Sequence, residues 1–205
     1  MRAYELLQAQ LAARYDDEPI VRAITVSGAM TVHAEPFIRG MASSLTRQNL
    51  LAAGYTPAAD KRAIRASIDA QAVWQRTRQV LALNPWQYIK PDGRPGQDVT
   101  FANAMMDHFR SVFGSRAILQ NNSIRSSWIT GSMGANYAKM IAHMVSLGGP
   151  IAFQTAREDR VGDVPTVLQW CVDKGAFAVE LHDPFGTKLT KRQAQRFDGL
   201  LEANA

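Results

Sequence analysis

The chain has 205 residues, 46% hydrophobic and 20% charged, with 23 Lys and Arg against 18 Asp and Glu for a net charge of +5. That is enough apolar material for one sizeable core, and two domains would each be small. No run reaches the roughly 18 apolar residues of a membrane helix, and the opening MRAYELLQAQ lacks the apolar core and small-residue cleavage site of a secretory signal. The single cysteine, Cys171, permits no internal disulfide, and four scattered histidines give no zinc spacing, so neither metal nor cofactor is expected. The densest basic runs, Lys61-Arg62 with Arg65 and Lys188 to Arg196, have the spacing of solvated helix faces. Neither nucleic acid nor membrane is an expected partner.

In chain order, Leu7 and Leu11 recur at helical spacing between Tyr4 and Tyr15, which predicts an opening helix that stops near Asp16-Asp17-Glu18-Pro19. Ile20 to Val26, β-branched and bounded by Gly28, has the pattern of a buried parallel strand. Pro57 and Asp60 start a helix over 58–74 with Ile64, Ile68 and Ala72 on one face. Arg78 to Leu83 ends at Asn84-Pro85, where the residue before proline is pushed out of helical geometry, so a strand is preferred to a continued helix.

The polar loop Lys90 to Gly96 precedes a helix that Thr100 can cap, with Met105, Phe109, Val112 and Phe113 as its buried stripe. Strand, loop and helix then repeat. Ala117-Ile118-Leu119 leads into Asn121-Asn122, and the helix 134–147 carries Tyr137, Met140, Ile141 and Met144. Pro150 to Phe153 leads into Gln154, Asp163 caps a helix through Val167, Leu168 and Cys171, and Phe177-Ala178-Val179 leads into Glu180. Thr190 starts a last helix that buries Phe197, Leu200 and Leu201.

Five short strands, near 21–27, 78–83, 116–120, 150–154 and 176–181, therefore alternate with helices, which predicts an α/β fold with a parallel sheet. Two architectures stay open: a partial (β/α) TIM-type barrel, with 1–205 as a single incomplete domain, and a five-stranded open α/β sheet. No dinucleotide fingerprint or phosphate loop follows any strand.

In both architectures the chemistry lies at the carboxyl ends of the strands. There the sequence places His33 and Glu35, then Asn84 and Trp86, then Asn121, Asn122 and Arg125, then Gln154, and finally Glu180, His182 and Asp183. Carboxylates and amides beside an indole suit a sugar, whose hydroxyls need polar partners and whose apolar face stacks on an aromatic ring; Trp86 and Trp128 are the candidate platforms. The carboxylates among them are Glu35, Glu180 and Asp183. His33, Trp86, Asn121, Asn122, Arg125, Gln154, His182 and Asp183 are the expected substrate-binding residues. Gly131-Ser132-Met133-Gly134 does not fit a nucleophile elbow, and Cys171 has the position of a buried inert thiol.

Thr31 to Phe37 with Glu35-Pro36, the Asn84-Pro85 after the next strand, and Ala178-Val179-Glu180 together resemble the C-terminal part of a glycoside-hydrolase-like (β/α)8 barrel. More loosely, the chain is similar to uncharacterised barrel proteins of actinobacteria and their phages. The resemblance implies an acid/base glutamate after the fourth barrel strand, which Glu35 matches, and a nucleophile after the seventh. With 78–83 counted as a strand, Gln154 ends the seventh and Glu180 the eighth; without it, Glu180 ends the seventh. The glycoside hydrolysis that the resemblance implies needs two carboxyl groups, about 5–5.5 Å apart for retention or 6.5–9.5 Å for inversion, and Glu35 and Glu180 are the expected catalytic pair, with Asp183 in reserve.

A complete barrel takes about 250 residues, so about three βα units would be missing on the N-terminal side. Open sheet edges would then need a cover: a second copy, another chain carrying the missing units, closure as an open sheet, or a larger assembly. The expected function is a glycoside-hydrolase-like, carbohydrate-active protein. The alternative is a catalytically inactive structural or carbohydrate-binding subunit, such as a phage minor tail protein. Carbohydrate and a barrel-completing chain, whether self or other, are the expected partners, and a soluble location, cytoplasmic or virion-associated, is the expected one.

Overall fold

Parallel strands form where short runs of β-branched and apolar residues can be covered on both faces, and the helices between them supply that cover. The computed structural model describes residues 1–30, 35–182 and 189–205. The chain divides into two units, Met1–Ala117 and Ile118–Ala205.

The first unit opens with α1 (Arg2–Tyr15), which turns Gln8 and Ala12 inward. The Tyr4 hydroxyl accepts the Ser27 backbone N–H at 3.2 Å and the Gln71 side-chain amide at 2.9 Å, fixing the helix to the chain that follows β1 (Ala23–Thr25). Glycine is required beside that contact, because a Cβ at Gly28 would lie 2.6 Å from the Tyr4 ring. β1 pairs in parallel with β2 (Arg78–Leu83), Ala23 opposite Arg78 and Thr25 opposite Val80. Between them run α2 (Ser44–Ala52) and α3 (Pro57–Asp69); Thr56 caps α3 by accepting the Ala59 N–H at 3.1 Å. An antiparallel hairpin follows, β3 (Trp86–Ile89) with β4 (Pro95–Asp98), and then α4 (Val99–Phe113).

Two sequence expectations change here. The cap of α4 is Asp98, not Thr100: its carboxylate accepts the Phe101 N–H at 3.1 Å, one residue before the helix begins. The segment read as one polar loop, Lys90 to Gly96, is the turn and second strand of the hairpin. Ile64, Ile68, Leu81, Leu83, Met106 and Phe109 form the core of this unit, each shielded from water and worth about 1.5–3 kcal/mol of apolar burial.

The second unit takes up β5 (Ala117–Ile124), α5 (Ser126–Thr130), α6 (Ala135–Ser146), β6 (Ile151–Thr155), α7 (Glu158–Val161), α8 (Val164–Asp173), β7 (Ala176–Glu180) and α9 (Lys191–Glu202). β6 pairs in parallel with β5, Leu119 opposite Ile151, and with β7, Gln154 opposite Glu180. Met140, Met144, Phe153, Leu168, Cys171 and Phe197 fill the core. Asp163 caps α8 and Thr190 caps α9 through a reciprocal pair with Gln193, both as the sequence predicts.

The fold is α/β, with five parallel strands in the order β1-β2-β5-β6-β7 and helices flanking them. An open doubly wound sheet reverses its strand order at a switch point, whereas successive barrel units keep it. Here the order follows the chain, consistent with a partial (β/α) barrel.

Candidate functional site

Glu35 is 8% exposed and lies beyond the carboxyl end of β1. The side-chain amide of Asn84, the residue that follows β2, donates to its Oε1 at 3.0 Å. The segment carrying Glu35 is fixed from three sides. Phe37 is fully buried and its carbonyl accepts the Gln87 N–H of β3 at 2.8 Å, Ile38 donates back to the Glu35 carbonyl at 3.3 Å, and Arg39 turns inward to α3. A carboxyl group is thus held in a nearly dry setting with an amide donor aimed at one oxygen.

The inward turn of Arg39 meets Asp60, and both are 9% exposed. Arg39 Nε lies 2.9 Å from each Asp60 oxygen, its Nη2 also reaches Oδ1, and its Nη1 donates to the Ile38 carbonyl at 2.8 Å. The Asp60 Oδ2 accepts in addition the Tyr55 hydroxyl at 3.1 Å and the Trp86 indole N–H at 2.9 Å. Burial, and then the Asp60 charge, push the Tyr55 hydroxyl pKa upward, so it remains a donor.

Trp86 belongs to this closed cluster. Its ring is 1% exposed, stacked on Tyr88 at 4.6 Å, edge-on to Phe101 at 5.0 Å, and capped by the Lys61 ammonium at 4.6 Å. The structure therefore buries the indole that the sequence proposes as a sugar platform. The sequence reading also missed the Asp60 node, although one signal was legible: Asp60 stands four residues before Ile64 on the buried stripe of α3, where a carboxylate needs a buried cation.

In the second unit the strand ends are polar. Asn121 and Asn122 are buried in β5, and the Gln120 amide donates to Asn122 Oδ1 at 2.9 Å. The pairing with β6 shifts between Asn121 and Ile124, and Ser123 adopts φ 68°, a left-handed conformation that costs a non-glycine residue strain. Arg125 follows, its Nε donating to the Ser123 carbonyl at 3.2 Å and its guanidinium lying 4.2 Å over the half-buried Trp128 ring. Gln154 is half-buried at the end of β6, opposite the exposed Glu180 at the end of β7. The exposed His182 donates its backbone N–H to Thr155 Oγ1 at 3.2 Å.

The second unit thus brings Asn121, Asn122, Arg125, Gln154, Glu180 and His182 to the carboxyl ends of three adjacent strands, while Glu35, Asn84 and Trp86 belong to the first unit. His33 and Asp183 lie outside the described residues. Because 78–83 is a strand, Gln154 lies in the fourth parallel strand and Glu180 ends the fifth; the count that would raise Glu180 to the seventh barrel position does not hold. Cys171 is fully buried, and that burial pushes its thiol pKa well up, so it is not a thiolate nucleophile. Among the described residues, no three His, Cys, Asp or Glu side chains gather as a metal ion would need, and no helix is long and apolar enough to cross a membrane. Comparison with protein-family models, curated proteins and solved structures finds no match.

Proposed function

We propose that the chain is a carbohydrate-active protein of the glycoside-hydrolase kind, with Glu35 as the carboxyl group that transfers a proton. The observation that supports this reading is the pairing of Glu35 with Asn84: a carboxyl group 8% exposed, placed beyond a parallel strand and held by an amide donor at 3.0 Å. Leaving-group protonation in glycoside hydrolysis is the task of a positioned carboxyl group. Glu180, the last residue of β7, is proposed separately, as the carboxyl group at the strand ends of the second unit.

Glu35→Gln is the decisive variant, because the new amide oxygen can still accept from Asn84 while its proton chemistry is gone. On a panel of glycans, hydrolysis should fall by about 10²–10⁴ in Glu35→Gln. Equal activity of the two proteins removes the mechanism. Glu180→Gln tests the second assignment separately.

One observation favours the alternative of a structural or carbohydrate-binding subunit. β1 and β7 end the strand order, and their residues Ala23 to Thr25 and Phe177 to Val179 are only half-buried. A chain completed by a neighbour would leave its terminal strands in this condition. Glycan binding without hydrolysis, together with a concentration-dependent rise in mass by light scattering, would select this reading.

A further inference from the structure

Arg125 and Arg160 stand on two neighbouring segments of the second unit. The Arg125 guanidinium lies over the Trp128 ring at 4.2 Å, and Trp128 in turn packs on Tyr137 at 4.9 Å. Its Nε is used by the Ser123 carbonyl, and among the described residues no protein acceptor meets its Nη groups. The charge of Arg160 acts on it from α7; burial first, and this like charge second, pull the Arg125 pKa down.

The segment carrying Arg160 is clamped against the segment carrying Arg125. Ser126, next to Arg125, accepts the Asp163 backbone N–H at 3.2 Å, and Ala156 donates to the Ile124 carbonyl at 2.8 Å. Gly162 between them has φ 72°, and a Cβ there would stand 2.0 Å from the Ser126 hydroxyl oxygen.

Two neighbouring carboxylates are committed elsewhere. Asp159 is paired with Arg157 at 3.0 Å and Asp163 accepts the Thr166 N–H at 2.8 Å. Among the described residues, no carboxylate forms an ion pair with Arg125 or Arg160. A half-buried guanidinium under the charge of a second arginine, at the carboxyl end of a parallel strand, costs free energy that an oxyanion would offset, and the planar fork of an arginine matches a carboxylate bidentately.

We propose that Arg125 and Arg160 form a subsite for the carboxylate of an acidic saccharide, a sugar acid rather than a neutral glycan. The assignment rests on the carbohydrate reading above and narrows it to uronate-containing ligands.

Calorimetric titration of the full chain with oligogalacturonate, with its methyl ester and with inorganic phosphate tests it. The acid should bind at least about tenfold more tightly than the ester, and Arg125→Gln and Arg160→Gln should each weaken the acid by about tenfold, the loss of one charge-assisted hydrogen bond, without changing the ester. Arg160 is exposed on α7, so its variant keeps the test valid even where Arg125→Gln disturbs folding. Equal binding of acid and ester, or unaltered acid binding in both variants, overturns the subsite and leaves the carbohydrate reading standing. Phosphate binding that is lost in Arg125→Gln, with no saccharide bound at all, identifies a phosphate site and overturns both. No binding of the acid by the wild type also overturns the subsite.

Discussion

The two units use the same side-chain chemistry to opposite ends. In the first, Arg39 meets Trp86 and Tyr55 around a carboxylate, Asp60, and every member is drawn inward. In the second, Arg125 meets Trp128 and Tyr137 around no carboxylate among the described residues, and a second arginine, Arg160, stands by. The carboxylate makes the difference. A buried charge with a full set of partners is a piece of structure, whereas a partly buried cation under the charge of another is a place where something else can bind.

The sharpest way to break the comparison is Asp60→Ala. It leaves Arg39 charged and buried with its partner gone, and strands the Tyr55 hydroxyl and the Trp86 N–H without their shared acceptor. Urea unfolding should show a loss of about 3–5 kcal/mol. A loss under about 1 kcal/mol, no more than an ordinary surface change, would mean that the Asp60 cluster is not what holds the first unit together.

Next in size is Gly162→Ala. Alanine at φ 72° is strained, and its Cβ would drive the Ser126 hydroxyl away from the Asp163 amide. A cost of about 1–2 kcal/mol is expected. Binding of an oxyanion should weaken in this variant even though no charge has been touched, because Arg160 loses its placement beside Arg125.

Much of this frame was legible before any coordinates. All five parallel strands stand where short apolar runs end in polar residues, and the caps Asp163 and Thr190 carry their own signatures. α2 was not legible, because Ser44–Ala52 buries no residue and so leaves no apolar stripe to read. The hairpin escaped because Pro91, Gly93, Pro95 and Gly96 dominate its second half. Of the site, the positions at strand ends could be read, but their partners could not: Glu35 and Asn84 are 49 residues apart in sequence, and Trp86 looked like an open platform until Asp60, Tyr88 and Phe101 closed on it.

A smaller effect concerns a carboxylate satisfied by backbone. Burial would raise the Asp16 pKa, but the N–H groups of Thr77 at 2.8 Å and Gln75 at 2.6 Å, with Arg76, outweigh it and leave the pKa lowered. A carboxylate with a depressed folded-state pKa contributes stability above its unfolded value, near 3.8 here, and loses it as pH falls through the lower folded one. Thermal unfolding followed from pH 5 downward should therefore show a shallower acid limb in Asp16→Asn than in the wild type. Identical limbs would remove Asp16 from the set of satisfied carboxylates.

The smallest expected effect carries the other half of the comparison. Arg125→Gln, without any ligand, forfeits the stacking on Trp128, worth about 0.5–1 kcal/mol, and one hydrogen bond to the Ser123 carbonyl, while relieving the repulsion from Arg160. These contributions oppose one another, so stability in urea should stay within about 0.5 kcal/mol of the wild type. Arg39→Gln, which leaves the buried Asp60 without its cation, should cost about 3 kcal/mol under the same conditions. If the two variants lose equal stability, Arg125 is a structural residue as Arg39 is, and the open cation of the second unit needs no ligand to explain it. If only Arg39→Gln is destabilised, Arg125 is held in place for a purpose other than folding.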